Sequence, residues 1–302
     1  MLIDQSSRDD TLVGVRPPGG SPAGAVSSQS SRDKHRKRSA GEISMRGEGR
    51  PISTLDTSAA GSAGRPRTAA SLGALFGFLL RMQVTVPRLL GIAALGGLSV
   101  MLGAFARWDD DPVRAAADVA ASYGLGIVVP LAALWFGTSA IGDLVEDRLL
   151  VYLWLKPVPR WQLPAAAVLS IVTLVAPLTA LPIAASALAA GAGELALRTL
   201  LAASLAVCAY AGLFVAAGLW FRRAVWWGLA FVLLWENAAG YASEGTARLT
   251  VTSWARSILS TVPGVDVPLD GRSVLAALVV LPVVAVAGWL AATVRYRRAD
   301  VD

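Results

Sequence analysis

The sequence has very few of the residues that most often build catalytic and metal sites. It contains one histidine and one cysteine in 302 residues. His35 lies in a polar N-terminal stretch, which excludes a metal site built from several histidines. Cys208 lies within an apolar run, and a single cysteine excludes an internal disulfide. We therefore expect neither a bound metal nor a cofactor.

Lysine is almost as scarce as histidine. The three lysines are Lys34, Lys37 and Lys156, and none of them follows a glycine-rich loop. The phosphate-binding pattern that ends in Gly-Lys-Ser or Gly-Lys-Thr is absent, so the chain has no P-loop with which to hydrolyse ATP. No other catalytic arrangement is visible, and we expect a protein without enzymatic activity of its own.

Charged residues make up only 16% of the chain, against about 25% in an average soluble domain. Hydrophobic residues make up 55%, and the mean hydropathy is +0.56. This composition predicts a membrane protein. The net charge of +6 does not indicate nucleic acid as a partner, because 11 of the 27 basic residues precede residue 68 and most others flank apolar runs. That distribution is typical of orientation in a bilayer.

Residues 1–68 are rich in Ser, Gly, Pro and Arg and show no helical or strand period. Such a segment buries too little apolar area to offset its ordering entropy, so we predict a disordered basic tail. The basic run at residues 32–38 has two interpretations, a solvated tail or a site for anionic lipid or nucleic acid. No apolar core follows this run, so it is not a signal peptide. Met45 is a second candidate for the first residue.

From residue 69 onwards the chain reads as an all-α, polytopic membrane domain. Ser71 to Leu80 is apolar but too short to cross a bilayer, which needs about 20 residues, so we predict an interfacial elbow helix there. Six longer runs follow, and each is predicted to cross the membrane. They are Leu89 to Ala106, Val119 to Ile141, Leu163 to Ala190, Thr199 to Trp220, Ala224 to Ala239, and Val274 to Val294.

The basic residues between these runs predict the orientation. With a cytoplasmic N-terminus, ten arginines and lysines flank the inner ends of the runs and six flank the outer ends. This bias favours a multi-pass protein of the cell membrane with both termini in the cytoplasm. It also places residues 142–161, between the second and third runs, in the cytoplasm.

This segment, predicted to be cytoplasmic, contains charged residues, a short apolar run and two prolines, which a simple connection between two crossings does not need. Asp143 to Leu155 is predicted as a helix with acidic residues near its start and an apolar end. Two prolines then stop the helix, and Arg160 and Trp161 anchor the turn at the membrane surface. Docking of a partner protein and an ordinary anchored loop both fit this composition. The residues proposed for partner contact are Asp143, Glu146, Asp147, Leu150, Trp154, Pro157, Pro159 and Arg160.

The same segment resembles that of ABC-2 type transporter permeases, in which an acid, a Leu-rich run and an Arg-Pro-Val-Ser/Pro-Arg motif follow the second crossing. The matching positions here are Glu146, Leu150, Pro157, Val158, Pro159 and Arg160. The chain departs from the pattern at Arg148-Leu149, where Gly-Thr is usual. The resemblance implies a permease, most often for export, whose coupling helix contacts a separate ATP-binding subunit. It also implies that two permease chains work together, as a homodimer or a heterodimer.

A non-transporting membrane scaffold whose cytoplasmic loop recruits a partner is the alternative function. The sequence leaves the substrate unknown. Glu236 has two interpretations, a functional residue within the membrane or an interfacial residue near the outer boundary in reach of water, and the position favours the second. Residues 253–259 are expected to form either a short re-entrant or surface helix or a simple surface loop. The hydroxyls of Thr138, Ser139, Thr173 and Thr179 are expected to bond to helix carbonyls or to neighbouring helices.

Overall fold

The computed structural model describes residues 68–146, 159–221, 223–236, 249–265 and 273–298. The predicted disordered tail up to residue 67 and the predicted cytoplasmic residues 147–158 lie outside this part of the chain. Every regular element in the described residues is a helix, which confirms the all-α prediction.

The helices follow one another with short connections. We number them α1 (Thr68–Gln83), α2 (Val86–Ala106), α3 (Pro112–Asp118), α4 (Val129–Glu146), α5 (Gln162–Ala189), α6 (Gly193–Trp220), α7 (Ala224–Ala230), α8 (Val251–Leu259) and α9 (Val274–Arg298). Two stretches are π-helical. The first π segment (Val119–Val128) joins α3 to α4, and the second π segment (Phe231–Glu236) continues α7.

Five of these helical stretches are long and apolar enough to cross a membrane, which is compatible with a membrane protein. They are Val86–Ala106, Pro112–Gly142, Gln162–Ala189, Gly193–Trp220 and Val274–Arg298. The predicted crossing Ala224 to Ala239 differs, because its described helix, Ala224–Glu236, is too short to span a bilayer of about 30 Å. A sixth crossing therefore stays a prediction.

Contacts between helices define two ends of the bundle. α2 and α5 run in the same direction, since Gly96 packs against Pro182 and Gly103 against Ser186. The near end is where α5 begins and where α4, α6 and α9 finish; α2 begins further along α5, and the opposite end is the far end. α9 finishes at the near end because Arg160 Nη1, just before α5, donates to the carbonyl oxygen of Arg297 at 3.4 Å.

The predicted elbow corresponds to α1, which is longer than the apolar run suggested. Ser71 Oγ donates to Gln162 Oε1 at 2.7 Å, and Gln83 Nε2 donates to Ser170 Oγ at 2.9 Å. The first hydrogen bond lies at the first residue of α5, and the second lies about two turns further along α5. α1 therefore runs beside α5, and its place in the bilayer interface stays a prediction.

α6 and α9 pack backbone against backbone at their small residues. A Cβ atom added to Gly212 would lie 3.0 Å from the Cα atom of Ala285 and closer still to that residue's carbonyl oxygen. Membrane helices associate through such close packing rather than through a hydrophobic driving force. Glycine at position 212 is therefore required for this crossing of the two helices.

The hydroxyls within the long helices bond as predicted. Thr138 and Thr179 donate to the carbonyl oxygens of Leu134 and Val175, four residues earlier, at 2.7 and 2.8 Å. Ser139 and Thr173 make equivalent bonds three and four residues back. These groups are therefore satisfied within their own helices, as apolar surroundings demand.

Candidate functional site

The structure describes only some of the predicted partner-contact residues, and those that it describes lie at the near end. Asp143 and Glu146 belong to the last turn of α4, while Asp147, Leu150, Trp154 and Pro157 lie outside the described residues. The prediction that Asp143 begins a new helix is wrong. No proline or capping residue interrupts the chain before Asp143, so α4 continues through it to Glu146. The favourable dipole assigned to these acids at a helix start does not apply there.

Pro159 and Arg160 form the turn that leads into α5. The backbone N–H of Gln162 donates to the carbonyl oxygen of Pro159 at 3.0 Å, and both Pro159 and Arg160 are exposed. Trp161 packs edge-on against Trp289 of α9, with ring centroids 6.5 Å apart. These contacts hold the end of the predicted cytoplasmic segment against α9 at the near end of the bundle.

A second polar cluster lies inside the bundle and is centred on Glu236, the last residue of the second π segment. Its side chain is only 5% exposed. Oε1 accepts a hydrogen bond from the backbone N–H of Val251 and Oε2 accepts one from that of Thr252, each at 3.0 Å. The carboxylate thus caps the N-terminus of α8, where unpaired N–H groups and the helix dipole favour a negative charge. The expectation that Glu236 reaches water at the membrane boundary is wrong.

The side chains of α6 and α8 also meet in this cluster. The hydroxyl oxygens of Tyr210 and Thr252 lie 2.8 Å apart, and Tyr210 is fully buried. Tyr210 is also within electrostatic reach of Glu236 and Arg256. The cluster therefore combines one carboxylate, one guanidinium and two hydroxyls inside the bundle.

Arg256 ties α8 to the long helix between residues 112 and 146. Its Nε donates to the carbonyl oxygen of Ala121, in the first π segment, at 3.0 Å. Gly126, five residues further on, makes room for the guanidinium, because a Cβ atom there would lie 3.1 Å from Nη2. π-helical stretches often occur at functional sites. Both π segments of this protein contribute to the cluster, one through Ala121 and the other through Glu236.

The cluster lies about halfway along the bundle. Glu236 is 12 residues beyond the start of α7, or about 18 Å, and Tyr210 is 10 residues before the end of α6, or about 15 Å. Both distances are measured from the near end, where α6 finishes and α7 begins. Because α9 starts at the far end, the chain from α7 to α9 passes from one end of the bundle to the other.

α8 is buried although four of its nine residues are polar or charged. Seven of its nine residues are buried, namely Val251, Thr252, Ser253, Ala255, Ser257, Ile258 and Leu259. Of the two sequence alternatives for this stretch, the helix is correct and the surface loop is wrong. Glu236 of the second π segment and Tyr210 of α6 hold the start of the helix, and Arg256 ties its middle to Ala121 of the first π segment, so α8 is held by three separate elements of the bundle.

The contacts of this cluster fasten α8 to the rest of the bundle, and we call Glu236 and Arg256 its latch residues. The described residues contain no group of three or more His, Cys, Asp or Glu side chains that could hold a metal ion. Both carboxylate oxygens of Glu236 are engaged by backbone N–H groups. Sequence reasoning identified Glu236 as polar but missed its partners, since Val251 and Thr252 carry no signal for a capping carboxylate 15 residues earlier.

Aromatic residues mark the near end of α7. Trp226 and Trp227 are 70% and 62% exposed, and Phe221 stacks on Trp227 with ring centroids 5.7 Å apart. Arg223 directly precedes this helix and is exposed. Tryptophan and arginine together are typical of a membrane–water interface.

Neither a family model nor a curated protein sequence matches the chain.

Proposed function

We propose that the protein is the membrane-spanning permease subunit of an ABC-2 type, ATP-driven transporter, most consistent with export. The working unit contains two permease chains and separate ATP-binding subunits. The resemblance of the segment between α4 and α5 to the coupling segment of such permeases suggested this function. Five long apolar helices are compatible with it, and the interrupted stretch from α7 to α8 is proposed as the sixth crossing.

The observation that carries the proposal is a continuous helical stretch that joins the near end of the bundle to a residue bonded to α8. One uninterrupted helical stretch, residues 112–146, has Asp143 and Glu146 at its near end and Ala121 in its first π segment. Ala121 accepts the hydrogen bond from Arg256 of α8. About 22 residues, or roughly 30 Å, separate Ala121 from Asp143. We propose that a force applied at the near end is transmitted along this helical stretch to the buried helix α8.

Transport follows from this connection in two steps. Closure of the ATP-binding subunits pushes on the segment around Glu146 and tilts α4 and α5, which flank it. The tilt moves the first π segment relative to α8 and opens a path at the far half of the bundle. Coupling of this kind requires an element with two arrangements, and α8 with its latch residues Glu236 and Arg256 is that element.

The first experiment is site-specific cross-linking in membranes. Cys208 is replaced by alanine, and one new cysteine is introduced at Glu146, or at Asp110 in the far-end turn as the matched control. Cross-linked partners are identified after photolabelling with an azido analogue of ATP. We expect an ATP-labelled partner on Glu146→Cys and none on Asp110→Cys.

A functional measurement complements the cross-link. Glu146→Ala combined with Asp147→Ala should abolish the ATP hydrolysis that the permease stimulates in its partner while leaving the complex assembled. Unchanged stimulated hydrolysis in the double variant would refute the coupling assignment. A cross-linked partner that does not bind ATP would favour the scaffold function instead.

A further inference from the structure

The first π segment (Val119–Val128) is long for a helix of its kind. π-helices, in which hydrogen bonds join residues five apart, are rare and mostly form single turns inside α-helices. Here ten consecutive residues are π-helical, with α3 before them and α4 after them. Contacts with neighbouring helices are needed to keep such a stretch from returning to the much commoner α-helix.

Two neighbouring helices supply contacts of this kind. Arg256 Nε of α8 donates to the carbonyl oxygen of Ala121 at 3.0 Å. The hydroxyl of Tyr123 donates to the carbonyl oxygen of Leu95, in α2, at 3.1 Å. Both hydrogen bonds depend on the direction in which Ala121 and Tyr123 point from the helix axis, so both are specific to the π form of this segment.

The exposed side chains of the stretch show the extra residue that the π segment contains. Residues four apart share a face of an α-helix, and Arg114, Asp118 and Ser122 are exposed at steps of four. Ile127 is the next exposed residue, five positions after Ser122, and Trp135 follows two further steps of four later. An α-helical form of the segment would therefore turn one half of the stretch by one residue, or about 100°.

Packing indicates which half would turn. A Cβ atom added to Gly137 of α4 would lie 2.6 Å from the Cβ atom of Phe214, so α4 is packed closely on α6. Ala121 and Tyr123 lie in the first half of the π segment, next to the short helix α3. Loss of their hydrogen bonds therefore frees α3 and leaves α4 in place.

We propose that the first π segment is a register switch controlled by Arg256. The hydrogen bond from Arg256 to Ala121 holds the segment in its π form. Release of this bond lets the segment become α-helical, which turns α3 about its axis at the far end. Shifts of a helix between two packed arrangements are a known form of switching. This switch belongs to the helical bundle and does not rest on the proposed transport function.

The turn exchanges the residues that face outward on α3. Because α3 turns by one residue, Ala115 takes the outward position of Arg114, and Val119 takes that of Asp118. Arg114 and Asp118 are now exposed, whereas Ala115 and Val119 are half-buried. The two forms of the segment can therefore be distinguished by the side-chain mobility at these positions.

The test measures the mobility of nitroxide spin labels on the full-length protein in liposomes. In a Cys208→Ala background, one cysteine is introduced at residue 114, 115, 118 or 119 and labelled, and its electron paramagnetic resonance spectrum is recorded. We expect mobile labels at residues 114 and 118 and immobilised labels at residues 115 and 119. Addition of Arg256→Ala should reverse this order.

Three further variants control the measurement. Arg256→Lys keeps a donor for the carbonyl oxygen of Ala121 and should keep the original order. Ser257→Ala is the matched control in α8, because its hydroxyl bonds to a carbonyl oxygen of the same helix, and it should also keep the order. Tyr123→Phe removes the bond to α2 without altering α8 and should shift the labels in the same direction as Arg256→Ala.

Several results would overturn the proposal. One is an unchanged order in Arg256→Ala, or in Tyr123→Phe where Arg256→Ala does not accumulate in the membrane. Another is higher mobility at all labelled positions, which indicates a loss of packing in place of a turn. A reversed order in Ser257→Ala would also overturn it, because any loosening of α8 would then have the same effect.

Discussion

The hydroxyl oxygens of Tyr210 and Thr252 lie 2.8 Å apart and form a side-chain link between α6 and α8. Both residues are buried, so neither hydroxyl has ready access to water as a substitute partner. A buried polar group that loses its partner is left with the full cost of its desolvation. The position of α8 inside the bundle therefore depends on this pair and on the charged contacts beside it.

Removing one hydroxyl of this pair should destabilise the protein. Tyr210→Phe removes the Tyr210 partner of the Thr252 hydroxyl, and Thr252→Val removes one partner of the Tyr210 hydroxyl, which also interacts with Glu236. Each variant should lower the free energy of unfolding by about 1–2 kcal/mol. The double variant should cost less than the sum of the two, by about 1 kcal/mol, because the Tyr210–Thr252 hydrogen bond can be lost only once. Thermal unfolding in detergent provides the measurement, with the reactivity of Cys208 in α6 as the signal.

Strict additivity in this double-mutant cycle would contradict the link. Ser204→Ala is the matched control in the same helix, because its hydroxyl bonds only to the carbonyl oxygen of Leu200 within α6. It removes a hydroxyl without affecting α8, and it should show no coupling to Thr252→Val.

Glu236→Gln should weaken the capping of α8. Glutamine keeps one carbonyl oxygen but places an N–H₂ group against a backbone N–H, so one of the two donors loses its acceptor. We expect a loss of about 2 kcal/mol, the usual scale for a hydrogen bond to a charged group. Limited proteolysis between α7 and α9 should become faster, since α8 is then less firmly docked.

Glu194→Gln supplies the control for loss of a carboxylate. Glu194 is exposed and lies 3.9 Å from Arg198 of the same helix, a surface pair of small energetic value. Its replacement should change stability by less than about 0.5 kcal/mol. Equal effects of the two glutamine variants would show that Glu236 does not anchor α8.

Gly212→Ala should disrupt the packing of α6 on α9. The added methyl group would overlap the backbone of Ala285, which cannot move aside as a flexible side chain can. We expect a loss of about 1–3 kcal/mol, the usual cost of overpacking. Gly97→Ala in α2 is the matched control, because no atom lies within 4 Å of its added Cβ. That variant should be neutral or slightly stabilising, and a similar loss in both would contradict the packing argument.

The sequence was sufficient to predict most of the long helices. Leu163 to Ala190 differs by one residue at each end from α5, because a long apolar run in a membrane protein has few alternatives to a helix. The prolines at 177 and 182 did not interrupt it. The predicted helix ends were less accurate where polar residues are mixed with apolar ones. The fourth run was predicted to begin at Thr199, whereas α6 begins at Gly193.

The polar cluster could not be predicted in the same way. Hydropathy marks Glu236 as a break in an apolar run, but nothing local shows that its carboxylate meets the start of a helix 15 residues later. The same applies to Arg256, whose partner is the backbone carbonyl of Ala121, a group that every residue possesses. Contacts between a side chain and a distant backbone atom leave no pattern in a single sequence.

The short helix Ala224–Glu236 has a consequence for biosynthesis. It carries a carboxylate at Glu236 whose partners, the backbone N–H groups of Val251 and Thr252, come later in the chain. We expect Glu236 to stay in an aqueous or protein-lined site until Val251 and Thr252 have been synthesised. Insertion of this region should be delayed until α8 has emerged from the ribosome, so that α7, α8 and α9 enter the membrane as one unit.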